Sequence, residues 1–359
     1  MSVETGSAFC TLVAGFTLVH PAVSAAIASA ARHDFLIYNG YSRNWARMPV
    51  TEFRRIGSLD VSVVGLGCNN FGRRLDEAAT AKVVSAALGE GINFFDTADI
   101  YGSTNSEVFL GKALHKKRGD VIIATKFGMK VDDERKGAHP DYVKRACEDS
   151  LKRLNTDYID LYQLHTPDPT VPIADTLGAL NELVEAGKVR EIGCSNFTGD
   201  QLHEADSAVA RDCARFVSVQ NEYSLLHREP GKGLILESVA LGITLIPYFP
   251  LANGLLTGKY RKNQPPPEGS RIATGWNAKL LNDDILDKVE KLITFAESHG
   301  HTILELAFSW LLTRDVVSSV IAGATKPEQV RANANAAVWD LTEAELEEVN
   351  QIIPLHSPT

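Results

Sequence analysis

The chain has too few cysteines, and too scattered, to organise itself around a disulfide framework or a structural zinc. Cys10, Cys68, Cys147, Cys194 and Cys213 are odd in number and include no C-x-x-C pair, which points to reduced thiols in a cytoplasmic protein. The ten histidines contain no H-E-x-x-H, and His299 and His301 merely flank a glycine, so no metal is expected. Positive charge is short as well. Lys and Arg number 36 against 45 Asp and Glu, a net charge of -9, which leaves no broad cationic face for nucleic acid. A local basic pocket for a phosphate is compatible with that balance. No repeat or low-complexity stretch occurs.

A charge-free stretch does occur, from Ala8 to Ala31, but it is rich in small residues and broken by His20-Pro21. It lacks the positive start of a secretory signal, since Glu4 is the only charge ahead of it. It also lacks the ~20 strongly apolar residues of a membrane span. Residues 1–50 are therefore read as a poorly ordered N-terminal extension with no stable membrane insertion, Met48 offering an alternative start. The folded domain is expected over 53–353. With 359 residues, 44% of them hydrophobic, a core of barrel size is within reach of one domain.

What the rest of the chain has is alternation. Short β-branched runs are expected as strands at Val61–Val64, Asn93–Phe95, Val121–Thr125, Tyr158–Leu164, Val189–Gly193, Val217–Gln220, Thr244–Pro247 and Val317–Ala322. Between them, apolar positions recur at three and four, as in Asp76–Leu88, Asp141–Leu154, Ile173–Glu185 and Ile285–Glu297, with a last helix near Glu343–Ile352. Such alternation implies right-handed βαβ crossovers and a parallel sheet. Eight units match a (β/α)8 TIM barrel in a single domain; an open doubly wound sheet comes second. Arg261–Ser270 (RKNQPPPEGS) forms a proline-rich loop after the seventh strand.

In a barrel of this kind the reactive groups sit where strands end. The second strand ends in Asp96 within FFDTADIYG, whose loop carries Tyr101. The third ends in Lys126 within IIATKFG, the fourth in His165 within YIDLYQLH. Singly, an Asp caps turns, a Lys is solvated and a His is packed. Capping does not require all four to share a rim. A Lys ammonium beside a phenol favours phenolate and is expected to lower the Tyr101 pKa, with Asp96 keeping the Lys charged. His165 can donate a hydrogen bond to a carbonyl oxygen as negative charge develops there. Protonating an oxygen while its carbon receives a hydride is carbonyl reduction, and the reverse is alcohol oxidation.

D-T-A-x-x-Y-G, A-T-K and L-H at successive strand ends resemble the catalytic tetrad of the aldo-keto reductase family, in its bacterial-type subgroup akin to potassium-channel β subunits. The likeness runs from about Phe53 to Ile353. It implies Tyr101 as proton donor, Lys126 as its pKa partner, Asp96 as the Lys anchor and His165 as the carbonyl-orienting residue. It further implies that Ser195, Asn196 and Gln220 hold the nicotinamide carboxamide and that Tyr248 stacks on its ring. Pro250, Leu251, Asn253 and Lys259 then wrap the pyrophosphate. Gly323, Thr325, Lys326, Gln329 and Asn333 fall on the adenosine-phosphate segment, the glycine and threonine suiting phosphate approach at a helix N-terminus. Arg271 matches a position that reaches a ribose 2′-phosphate. Two residues depart from the subgroup: Ala332 stands where a Glu often binds adenine, and Phe249 where a Ser usually follows the stacking aromatic.

The run GLGCNNFG imitates a dinucleotide fingerprint, but its third glycine position holds Asn70. Under the resemblance, Gly67, Cys68 and Asn69 border the cofactor instead. Asn69, Asn70, Phe127 and Arg228 are candidates for the substrate pocket. The expected function is NADPH-dependent reduction of an aldehyde or ketone, or oxidation of a sugar or alcohol, with NADH admissible and an oligomer compatible. The alternative is a nicotinamide-binding regulatory subunit with little turnover. The channel β subunits lack the His at the fourth strand end, so His165 favours turnover.

Overall fold

The computed structural model describes residues 52–272 and 279–354, and the first element in it is a hairpin rather than a barrel strand. β1 (Phe53–Ile56) pairs antiparallel with β2 (Leu59–Ser62) through a turn at Gly57, whose φ of +56° suits glycine. The strand expected at Val61–Val64 is thus divided: Val61 belongs to the hairpin, and the first barrel strand, β3, is Val64–Gly67. The break falls at Val63, whose N–H still follows the hairpin register to Glu52 O at 2.8 Å while its carbonyl accepts from Val320 N–H of the barrel at 2.8 Å. The N-terminal extension expected over residues 1–50 lies outside the described residues.

Seven more strands complete the barrel: β4 (Phe94–Asp96), β5 (Ile122–Phe127), β6 (Ile159–Leu164), β7 (Val189–Ser195), β8 (Phe216–Glu222), β9 (Thr244–Tyr248) and β10 (Val320–Gly323). They lie in the order β10-β3-β4-β5-β6-β7-β8-β9, every neighbouring pair parallel. A parallel bridge from Leu245 to Val317 joins the two ends of the sheet, so the eighth expected strand is shared: Val317 serves β9 and residues 320–323 serve β3. The result is a (β/α)8 barrel.

The helices are α1 (Glu77–Gly89), α2 (Asn105–Leu114), α3 (Pro140–Leu154), α4 (Ile173–Glu185), α5 (Gly199–Ser207), α6 (Leu234–Leu241), α7 (Asp283–Ser298), α8 (Ile303–Leu312), α9 (Pro327–Ala334) and α10 (Glu343–Ile352). α3 shows why they form where they do. Its buried positions, among them Val143, Ala146, Cys147, Ser150 and Leu154, make one stripe, Pro140 occupies the first turn, and Asn155 ends it in the left-handed region. Thr198, Thr302 and Thr342 each close a capping box at the start of α5, α8 and α10.

Two apolar layers result. The larger fills the space between strands and helices. The smaller lies inside the barrel, where Ile56, Leu59 and Val61 of the hairpin close on Phe94, Ala124, Leu161, Ile246 and Ile321. The hairpin therefore plugs the end where the strands begin, and the cavity opens where they end.

Candidate active site

The interior layer dictates what stands above it. Side chains on one face of a strand recur every two residues. Two positions beyond Phe94, Ala124, Leu161, Ile246 and Ile321 come Asp96, Lys126, Gln163, Tyr248 and Gly323. Apolar at the plugged end and polar at the open end, the interior turns into a site within one step of each strand. Tyr101 joins from the loop after β4. Its position is fixed by Gly102, at φ +58°, where a Cβ would stand 2.3 Å from Phe71 O.

Lys126 is fully buried, and two of its three ammonium protons are held by oxygens at the end of the strand beside it. Nζ donates to Asp96 Oδ1 at 2.6 Å and to Thr97 O at 2.9 Å. It lies 5.1 Å from the centroid of the Tyr101 ring. Asp96 Oδ2 in turn accepts from Gln220 Nε2 at 2.8 Å and Gln163 Nε2 at 3.3 Å. Burial opposes the Lys126 charge, but Asp96 and Tyr101 outweigh it and raise its pKa. The Tyr101 hydroxyl departs from expectation. Burial pushes its pKa up, Lys126 only offsets this, and Asp96 adds to the rise. The cation is shared with a carboxylate, so the phenol stays protonated at neutral pH.

His165 stands edge-on to Tyr101, ring centroids 5.8 Å apart at 80°. Burial, reinforced by Lys126, depresses its pKa to about 3, so the ring is neutral. Its Nδ1 finds no partner among the described residues. The groups meet at a cavity of about 1240 Å³, above the roughly 300–1,000 Å³ of ordinary small-molecule sites. Every residue assigned above to cofactor contact lines it, from Gly67 on β3 to Asn333 on α9, together with Asp96, Tyr101 and His165. Lys126 stands behind that wall.

Along the cavity, side chains hold one another. Tyr248 OH donates to Asn196 Oδ1 at 2.8 Å, and Asn196 Nδ2 donates to His165 O at 2.9 Å. Ser195 Oγ donates to Gln220 O at 2.8 Å. At the start of α9, Gln329 Oε1 accepts from Thr325 N at 2.7 Å. The unusual Phe249, at φ 50°, packs edge-on against Tyr248 with centroids 5.1 Å apart, and the Arg271 guanidinium lies 5.8 Å from its ring.

Two expected pocket residues are elsewhere. Phe127 follows Lys126 by one position, so it points out of the barrel and stacks on Tyr162 at 4.7 Å. Arg228 covers Trp310 at 4.6 Å and donates to Asn350 Oδ1 at 2.8 Å. Asn69 and Asn70 do line the cavity, as do Met129, Arg73 and Arg74, which the motifs did not single out. Gln163 was equally overlooked, although counting two on from Leu161 finds it.

Behind the rim, Asp99 is 3% exposed, its Oδ1 without a partner among the described residues and its Oδ2 accepting from Tyr142 OH at 3.4 Å. Burial and then Glu107 push its pKa up to about 7, against the pull of Arg153. The folded chain thus holds a proton at Asp99 that the unfolded chain has released, so this stabilisation is full below about pH 4 and is lost as pH rises through 7. His165 runs the other way, because the unfolded chain binds a proton from about pH 6.5 downward that the folded chain refuses. The two windows nearly cancel, each being worth about 3 kcal/mol between roughly pH 4.5 and 7.5. Single variants uncouple them. Relative to wild type, Asp99→Asn should gain urea resistance as pH rises across this window, and His165→Gln should lose it. Unfolding profiles parallel to wild type in both variants would refute the linkage.

Comparison with known proteins gives a consistent picture. The family model described as Aldo/keto reductase family matches residues 63–354. A probable aldo-keto reductase of Glycine max is 35% identical, covering 83% of this chain and 87% of its own length. A probable voltage-gated potassium channel subunit beta of Arabidopsis thaliana is 33% identical, covering 84% of this chain and 96% of its own. Among solved structures, the holo form of an aldo-keto reductase from Bacillus halodurans superposes with a TM-score of 0.72 at 32% identity, over 86% of this chain and 98% of that one.

Proposed function

The chain belongs to the aldo/keto reductase family, and from that premise we propose that it is an NADPH-dependent oxidoreductase reducing an aldehyde or ketone to its alcohol, with Tyr101 as proton donor. The observation that carries this is the buried Asp96–Lys126 pair beside the Tyr101 ring, with the neutral His165 ring edge-on to that tyrosine, all at the open end of the barrel. A bound nicotinamide supplies the hydride. The cavity fits such a group in volume and in charge, since Lys259, Arg271 and Lys326 line it with no ion pair among the described residues.

The residues divide the work. A carbonyl oxygen held between Tyr101 and His165 receives hydrogen bonds from both. His165, neutral down to about pH 3, acts as a ring N–H donor to developing negative charge and not as an acid. Tyr101 is the acid. An alkoxide is a far stronger base than a phenolate, so a raised Tyr pKa does not obstruct reduction, and the buried Lys126 charge stabilises the phenolate left behind. In the direction of alcohol oxidation the phenolate must be present at the start, so that rate should climb with pH. The cofactor ratio sets the direction.

Arg271 and Lys326, cations without an ion pair among the described residues, favour the 2′-phosphate of NADPH over NADH. The likeness to a probable channel β subunit supports a second reading, a nicotinamide-binding regulatory subunit with little turnover; the complete tetrad including His165 supports the first. The test is a panel of aldehydes, ketones and sugars assayed with each nucleotide. Turnover at least about tenfold faster in kcat/KM with NADPH is expected, the loss of one charged contact being of that size. No nucleotide consumption with any carbonyl would overturn the enzyme reading, and equal use of NADH would overturn the cofactor preference.

A further inference from the structure

We propose that Arg73 and Arg74, on the loop between β3 and α1, form with Arg271 a guanidinium cluster that grips the phosphate groups of the cofactor, and that Arg74 also straps this loop across the groove to the loop after β9. The inference rests on the nicotinamide reading above and adds two binding residues to it.

Four observations converge. Arg73 and Arg74 both line the cavity. Two hydrogen bonds run in opposite directions between the same loops: Arg74 Nη2 to Gly269 O at 3.2 Å, and Arg271 Nη2 to Asn70 Oδ1 at 3.2 Å. The β3 loop is built to hold its shape. Asn70 O accepts the backbone N–H groups of Arg73, Arg74 and Leu75 at 3.3, 2.9 and 3.0 Å, while Asn70 Nδ2 donates to Ala324 O at 3.2 Å, beside Thr325 and Lys326. Finally, Arg73, Arg74 and Arg271 make no ion pair among the described residues, and the one acid on that rim, Glu268, pairs with none of them.

Three guanidinium groups close enough to act on one another are held without a counter-charge in a protein of net charge -9. Burial first, then Arg74 and Arg73, depress the Arg271 pKa. Such repulsion is relieved by an anion, and a planar fork of N–H donors matches phosphate oxygens bidentately. The cluster bears on Arg271, which donates to Asn70, and Asn70 in turn donates to Ala324 O beside Thr325 and Lys326, so the arginines stand with the side chains at the start of α9.

Arg73→Ala, Arg74→Ala and Arg74→Lys are exposed substitutions compatible with folding. Binding of NADPH and NADH is measured by calorimetry, and NADPH release by stopped-flow displacement. Each Ala variant should weaken NADPH about tenfold, and NADH less. Arg74→Ala should also hasten release, while Arg74→Lys should restore affinity but not slow release, since a Lys lacks the fork. Unchanged NADPH affinity in both Ala variants overturns the proposal. So does a rise in KM confined to anionic carbonyls at unchanged NADPH affinity, which would place the arginines on the substrate. A wild-type protein that binds NADPH tightly yet reduces no carbonyl would refute the enzymatic reading while leaving this one standing.

Discussion

Tyr101→Phe should lower kcat for carbonyl reduction by about 10²- to 10⁴-fold, the usual contribution of a positioned general acid, and leave NADPH affinity essentially unchanged. Removing the hydroxyl leaves the Lys126 ammonium its bonds to Asp96 Oδ1 and Thr97 O at 2.6 and 2.9 Å. The buried charge keeps its counter-ion, so the fold should tolerate the change. The ring also stays, and with it the edge-on contact to His165. What disappears is the proton source, because His165 is neutral at working pH and has nothing to give without becoming an anion. A variant that kept near wild-type kcat would mean that water or another group protonates the alkoxide. One that lost NADPH binding as well would mean that the hydroxyl shapes the groove instead of the chemistry.

The parts of this site legible in the sequence were those set by position along a strand. Asp96, Lys126 and His165 close consecutive strands, and strand ends share a rim whatever the loops do. α10 was equally plain, since Thr342 and Glu345 write a capping box ahead of an apolar stripe. Burial was not legible. The same Lys126–Tyr101 contact that suggests an acidic phenol is overruled by desolvation and by Asp96, and neither magnitude is written in residue order. The hairpin was missed because Val61 and Val64 read as one β-branched run, although Gly57-Ser58 between two alternating segments was a turn signal. Phe127 was misplaced by a single residue of register, which in a strand means the opposite face. Arg228 was misplaced for another reason: a long side chain can lie over an aromatic far from its own loop's apparent target.

Lys126→Met should be the more damaging change to the protein itself, costing roughly 3–5 kcal/mol of stability as buried pairs do when one partner is removed. Asp96 is 2% exposed, and with Lys126 gone its side-chain donors among the described residues are the amides of Gln220 and Gln163. Those stabilise a carboxylate without neutralising it. Adding Asp96→Asn removes the orphaned charge, so the double variant should recover most of the lost urea resistance while recovering no activity. That separation distinguishes the structural cost of an unpaired charge from the chemical cost of a missing cation. It also bears on how Tyr101 and Lys126 act. Without the ammonium nothing offsets burial at the phenol, its pKa rises further, and the phenolate formed on proton transfer is unsupported. A Tyr101→Phe/Lys126→Met chain should then be no slower than the worse single variant, since two members of one unit cannot each be lost in full. Multiplicative losses would mean that Lys126 contributes to catalysis by some route other than Tyr101.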